Sequence, residues 1–156
     1  MGREIERKFL VCGEFIHLAT SVTHISQGYI AKSDQLTLRV RTRDNKGYLT
    51  IKGRSDKAGL SRNEWEWEIP VEEARELLQY SNGTIEKSRY LVPYEGHTFE
   101  VDCFYGQNEG LVMAEVELSD IDEEFARPDW LGEEVTGDRR YYNSQLLKNP
   151  FIQWKE

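Results

Sequence analysis

The chain has 156 residues, 38% of them hydrophobic and 31% charged, which is enough for one soluble domain with a sizeable core. No apolar run approaches the length of a membrane span and no signal-peptide core opens the sequence, so a cytoplasmic location is expected. A net charge of −8 speaks against general nucleic-acid binding, and Cys12 and Cys103 make neither a disulfide framework nor a zinc motif.

The first run, 4–11, alternates at the two-residue period of a strand, with Glu4, Glu6 and Lys8 on one face and Ile5, Phe9 and Val11 on the other. Residues 12–21 have no period and are expected to connect, with room for a short helical turn. A strand over 23–31 contains Gly28, a bulge or close-approach point. The run 36–42 sets Leu36, Leu38 and Val40 against Thr37, Arg39, Arg41 and Arg43. Turn chemistry at 44–47 leads into a returning strand over 48–52, which carries Lys52, and then a glycine- and charge-rich loop at 53–59. The stretch 61–69 places Arg62, Glu64, Glu66 and Glu68 opposite Asn63, Trp65, Trp67 and Ile69, and Pro70 ends it. An amphipathic helix is expected over 71–80. Strands follow over 84–92 with Lys87 and Arg89, over 97–105 with Glu100 and Asp102, and over 111–119 with Glu115 and Glu117. The remainder reads as a short acidic helix near 121–126, a turn at 128–130 and a final helix near 141–148. A weak internal duplication, strand then connection or helix then antiparallel strands, occurs twice.

The polar faces of these strands carry charge and almost no Ser, Gln or Asn. Bases and acids are segregated: 36–62 holds eight Lys/Arg and two Asp, whereas 100–138 holds thirteen Asp/Glu and Arg127 as its sole base. An antiparallel sheet with one wet face would account for the alternation alone. Like charges on neighbouring strands repel, however, unless something of opposite charge sits among them. A polyphosphate among the bases and a divalent metal among the acids would satisfy both groups. Carboxylates without His or Cys suit Mg²⁺ or Mn²⁺, and such a pairing permits phosphoryl transfer. No Gly-rich loop followed by Lys-Ser/Thr is present, so this is not a P-loop chain.

The run EIERK at 4–8 resembles the ExExK signature of the CYTH superfamily, the triphosphate tunnel metalloenzymes. Further runs resemble the family's later blocks in order: LRVR at 38–41, TIK at 50–52, SRNEWE at 61–66, EKSRY at 86–90, VD at 101–102, AEVEL at 114–118 and GDRRYYN at 137–143. The resemblance spans about the whole chain. It implies an α+β fold: one domain over 1–156, built as a closed eight-stranded antiparallel β tunnel with a few external helices and its charged faces inward. Apolar strand faces then look outward, and a homodimer is one way to cover them. Carried over by position, Lys8, Arg39, Arg41, Lys52, Lys87 and Arg89 bind triphosphate, with Arg139 or Arg140 adding a cation. Glu4, Glu6, Glu115 and Glu117 hold metal, supported by Asp102. Arg62, Glu64 and Glu66 orient these groups, while Glu68 and Arg43 are structural. Tyr29, a phenol beside several cations, and Glu4 are the candidates for catalytic duty, and packing is the alternative role for Tyr29. The implied activity is Mg²⁺- or Mn²⁺-dependent hydrolysis of a small-molecule triphosphate, inorganic tripolyphosphate above all, with neither nucleic acid nor membrane as partner. Alternatives are an adenylate cyclase of class IV type, a thiamine or nucleoside triphosphatase, and a polyphosphate-binding module without turnover.

Overall fold

The computed structural model describes residues 2–56 and 61–154; the end of the loop expected over 53–59 lies outside the described residues. The strands are β1 (Gly2–Val11), β2 (Ser21–Lys32), β3 (Leu36–Arg43), β4 (Lys46–Gly53), β5 (Ser61–Ile69), β6 (Ile85–Tyr94), β7 (His97–Phe104), β8 (Val112–Glu117) and β9 (Leu131–Glu134). Two α-helices, α1 (Val71–Leu78) and α2 (Asn143–Lys148), accompany them. The order β5-β4-β3-β2-β6-β7-β8-β1 is antiparallel throughout and closes on itself where β1 meets β5, Glu4 facing Arg62. The result is an eight-stranded closed barrel with one extra strand.

β1 makes the closure. Gly2–Ile5 pair with β5, Glu6–Leu10 pair with β8, and Phe9 faces both Ala114 and Glu134. β9 therefore continues along the edge of β1 that β5 has left. Two-residue connections join β3 to β4 and β6 to β7. In the second, Glu95 and Gly96 both take positive φ, 45° and 88°, the backbone that matches the twist of paired strands. Gly28 is a close-approach point: a Cβ there would stand 2.6 Å from Ser81 Oγ, while the irregularity in the β2–β3 ladder falls one step on, between Tyr29 and Ala31.

Alternation gives every strand an apolar face and a charged face, and the charged face points into the barrel. Outward-facing Phe9, Val92, Phe99, Val101, Ala114 and Val116 are buried by the chain's own connections, which bring Phe15, Leu118, Phe125 and Trp130 over them. A short 3-10 turn, Ile16–Leu18, occupies the first of these connections. Where an acidic helix was expected near 121–126, there is none. Glu123 accepts a hydrogen bond from Ser119 N at 2.6 Å and meets His97 Nε2 at 2.6 Å, a local pairing that competes with helical hydrogen bonds. Phe125 turns edge-on to Phe9 and Phe99. On the far side α1 packs over β2, β3 and β4, with Ala74 against Gly47, where a Cβ would come within 2.7 Å.

A second apolar cluster lies inside the barrel. Ile85, Phe104 and Met113 share the inward parity of Lys87, Asp102 and Glu115. With Leu10 they pack against Tyr141 and Leu146 of the C-terminal segment. That segment opens with a 3-10 turn at Arg139–Tyr141, so α2 begins at Asn143 rather than at 141. It stops one end of the charged interior with hydrocarbon. No helix among the described residues is long and apolar enough to cross a membrane.

Candidate active site

Inside the barrel is a cavity of about 230 Å³. Its walls follow from strand parity. β1 supplies Glu4, Glu6 and Lys8; β3 supplies Arg39 and Arg41; β4 supplies Lys52; β5 supplies Arg62, Glu64 and Glu66. β6 adds Lys87 and Arg89, β7 adds Glu100, and β8 adds Glu115 and Glu117, with Tyr29 of β2 also on the wall. The segregation seen in the sequence survives as a basic arc over β4, β3 and β6 and an acidic arc over β7, β8, β1 and β5.

Arg39 and Arg41 dominate the basic side. Both are buried, at 9% and 8% exposure, and the Nε of each has no hydrogen-bond partner. Their cross-strand neighbours are neutral: Thr50 and Tyr29 for Arg39, Tyr48 and Gln27 for Arg41. Arg39 donates to Thr50 Oγ1 at 3.5 Å, and Arg41 reaches Glu66 at 3.3 Å. Burial, then Arg39 and Arg89, pulls the Arg41 guanidinium down to about 10. Lys87 is 1% exposed, and burial lowers its ammonium to about 8 despite Asp102 at 2.9 Å. Lys52 contacts Glu4 at 3.2 Å and Glu64 at 3.5 Å; burial, Arg39 and Arg62 still lower its ammonium.

The acidic side has the opposite imbalance. Burial, then Glu115 and Glu4, raises the Glu6 carboxyl well above its ordinary value. Glu115 is also pushed up by burial, but Lys8, a hydrogen bond shared with Glu6, Arg89 and Lys87 outweigh this and hold it far below the usual range. Glu117 is raised by burial and by Glu4, Glu100 and Glu64. For Glu4, burial is outweighed by Lys52 and Arg62.

Glu6 and Glu115, with Glu4 and Glu117 also on the wall, form an oxygen-only donor set that fits a hard divalent cation. No three acidic, His or Cys side chains among the described residues are already gathered as metal ligands. Glu4 is instead turned toward Lys52 and toward Arg62, at 3.5 Å. Binding a cation at these carboxylates would exchange those ion pairs for metal–oxygen contacts.

Asp102, Arg139 and Arg140, candidates from the sequence, stand away from the cavity wall. Asp102, 2% exposed, lies behind the cations. It accepts from Arg89 Nε and Nη2 at 2.8 and 2.9 Å and pairs with Lys87, so it neutralises both cations of β6 at once. Arg140 is exposed, paired with Asp138 at 2.7 Å, and lies over the rings of Tyr141 and Trp154. Arg43 and Glu68 are likewise off the wall, Arg43 donating to Tyr48 Oη at 3.2 Å.

The C-terminal segment contributes instead through neutral groups that a search for charge passes over. Thr136, Gly137, Tyr142, Asn143 and Ser144 all line the cavity. Asn143 Oδ1 accepts from Lys87 Nζ at 3.2 Å, and Lys8 Nζ lies 5.3 Å from the Tyr142 ring centroid. Gly137, Tyr142 and Asn143 belong to the run GDRRYYN, and Thr136 and Ser144 flank it.

The CYTH domain matches residues 2–144. An inorganic triphosphatase of Acetivibrio thermocellus is 53% identical over 159 residues, covering 100% of both chains. One of Nitrosomonas europaea is 38% identical over 149 residues, covering 92% of this chain and 95% of its own. Among solved structures, that of an inorganic triphosphatase superposes with a TM-score of 0.65 at 35% identity, covering 94% of this chain and 95% of the other. A Pyrococcus horikoshii protein gives 0.61 at 26% identity over 76% and 81%. The chain belongs to the CYTH domain family.

Proposed function

We propose that this chain is a metal-dependent triphosphatase that hydrolyses inorganic triphosphate to pyrophosphate and orthophosphate within the barrel. The reading agrees with the names of its full-length relatives, inorganic triphosphatases of Acetivibrio thermocellus and Nitrosomonas europaea. One observation carries it: Arg39 and Arg41 lie side by side and buried, with orphaned Nε hydrogens and neutral cross-strand neighbours. Burying two guanidinium groups in that state is costly unless an anion arrives, and a phosphate oxygen matches their forked donors.

Lys8, Arg39, Arg41, Lys52, Lys87 and Arg89 hold the three phosphates from several sides, so that charge shed on P–O cleavage is met by donors already in place. Glu4, Glu6, Glu115 and Glu117 are the groups for Mg²⁺ or Mn²⁺; a bound divalent ion supplies polarisation of a phosphoryl oxygen and a more acidic water. Asp102 keeps Lys87 and Arg89 in place rather than touching substrate. Asn143 and Tyr142 steady Lys87 and Lys8 from the closed end.

The test is product analysis after incubation with tripolyphosphate, ATP or thiamine triphosphate and either Mg²⁺ or Mn²⁺. Orthophosphate released fastest from tripolyphosphate is the expected result. Cyclic AMP from ATP, or no turnover of any substrate, overturns the reading.

A further inference from the structure

Gln27 of β2 is buried, at 0% exposure, inside the barrel but off the cavity wall. Its Nε2 donates to the Oη of Tyr29, the next inward residue of the strand, at 3.5 Å. Its Oε1 has no hydrogen-bond partner among the described residues. A buried amide with an open carbonyl costs stability that an apolar side chain of similar size would not. Its cross-strand neighbours are Arg41 on β3 and Ile85 on β6, and of the two only Arg41 can donate. The cations one step away are engaged or face elsewhere: Asp102 and Asn143 hold Lys87, Tyr48 holds Arg43, and Arg39 faces Tyr29.

Arg41 has the complementary defect. Its Nε is buried without a partner, and its guanidinium leans away from β2. The central carbon lies 5.6 Å from the ring centroid of Tyr48 on β4, and Nη2 reaches Glu66 on β5 at 3.3 Å. In the order β5-β4-β3-β2, Glu66 and Gln27 lie on opposite sides of Arg41. An open acceptor and an open donor therefore face each other across one ladder, and a carboxylate draws the donor's side chain the other way.

We propose that Gln27 is a positioning residue for Arg41: when phosphate enters the cavity, the guanidinium leaves Glu66, Arg41 Nε donates to Gln27 Oε1, and both Nη groups turn to the phosphate. An incoming phosphate competes with Glu66 for the same nitrogen and repels its carboxylate. A guanidinium held from behind through Nε presents its remaining donors as a fork. Tyr29 takes the other end of the amide, which leaves the carbonyl oxygen for Arg41. The inference rests on the reading of the interior as a triphosphate site.

The test uses Gln27→Met, with Gln27→Leu as a second apolar replacement. Both should keep or raise the melting temperature, yet lower kcat/KM on tripolyphosphate by about tenfold. In an Arg41→Ala background the same change should cost less than about twofold, because its effect passes through Arg41. In NMR without metal, tripolyphosphate should move the Arg41 Nε–H signal of the wild-type protein downfield, as a new hydrogen bond does, and should not do so in Gln27→Met. Unchanged kinetics, a loss that persists in Arg41→Ala, or a signal that shifts alike in both proteins overturns the role of Gln27. A shift in the wild type alone, with no hydrolysis once metal is added, leaves that role standing and sinks the proposed function. Hydrolysis without the shift does the reverse, and neither effect sinks both.

Discussion

Asp102→Asn separates the cations' support from their use. The carboxylate is 2% exposed and takes three contacts of 2.8–2.9 Å from Arg89 and Lys87. Removing one partner of a buried ion pair costs about 3–5 kcal/mol; asparagine keeps one acceptor oxygen, so a loss of about 3 kcal/mol is expected. For 156 residues the unfolding entropy is about 0.3 kcal/mol per kelvin, which converts that loss into a fall in Tm of about 9 °C. The same change acts on pH dependence. With Lys87 at about 8, wild-type kcat/KM should decline as pH rises through about 8, because the neutral amine no longer attracts phosphate. Asp102 holds the Lys87 value up, so its loss moves the alkaline limb to lower pH. Tripolyphosphate returns negative charge to the two cations and should raise Tm more in the variant than in the wild type. Scanning calorimetry with and without ligand, together with a pH–rate profile, checks each part. A Tm within about 3 °C of wild type and an unmoved limb would refute the idea that Asp102 neutralises these cations.

Arg41→Ala should lower kcat/KM on tripolyphosphate by about a hundredfold or more, as loss of a fixed charge donor does. Steady-state kinetics checks this, and near-normal turnover would show that the orphaned guanidinium is not a substrate contact. Glu117→Ala should abolish metal-dependent turnover while triphosphate still binds in calorimetry; retained activity would assign the metal to other carboxylates. Gly47→Ala drives a Cβ to 2.7 Å from the Ala74 methyl and 3.0 Å from Ile69 O, so chemical denaturation should show a loss of about 1–3 kcal/mol. An unchanged midpoint would mean that α1 is free to shift away from β4.

Most of the barrel was legible because a two-residue period survives in single strands: 61–69 matches β5 at both ends. Which face looked inward was not legible from the period alone, since a wet outer face and a polar interior give the same alternation; the family resemblance chose the inward charges. Periodicity also hid the change of character along the interior. Leu10, Ile85, Phe104 and Met113 have the same parity as Lys8, Lys87, Asp102 and Glu115, and only the assembled barrel shows that they meet as a stopper. β9 escaped notice because it has four residues, includes Gly132, and is defined by pairing with residues more than a hundred positions earlier. The side-chain cap from Asp138 to Arg140 N explains why Arg140 turns to the surface, and two adjacent arginines in a sequence do not reveal which one a neighbouring acid will claim.

The several pairings of β1 have a consequence for the birth of the chain. Its ten residues are made well before their partners, which are Ser61–Glu64, Met113–Glu117 and Leu131–Glu134. Until translation has passed residue 117, the opening strand waits with one edge unsatisfied, and loop closures of this span make folding slow. A waiting strand invites pairing with other nascent chains. The alternating Glu4, Glu6 and Lys8 guard against that, because charge along an unpaired strand discourages edge-to-edge association. The residues that serve the interior of the finished barrel thus also chaperone its unfinished edge.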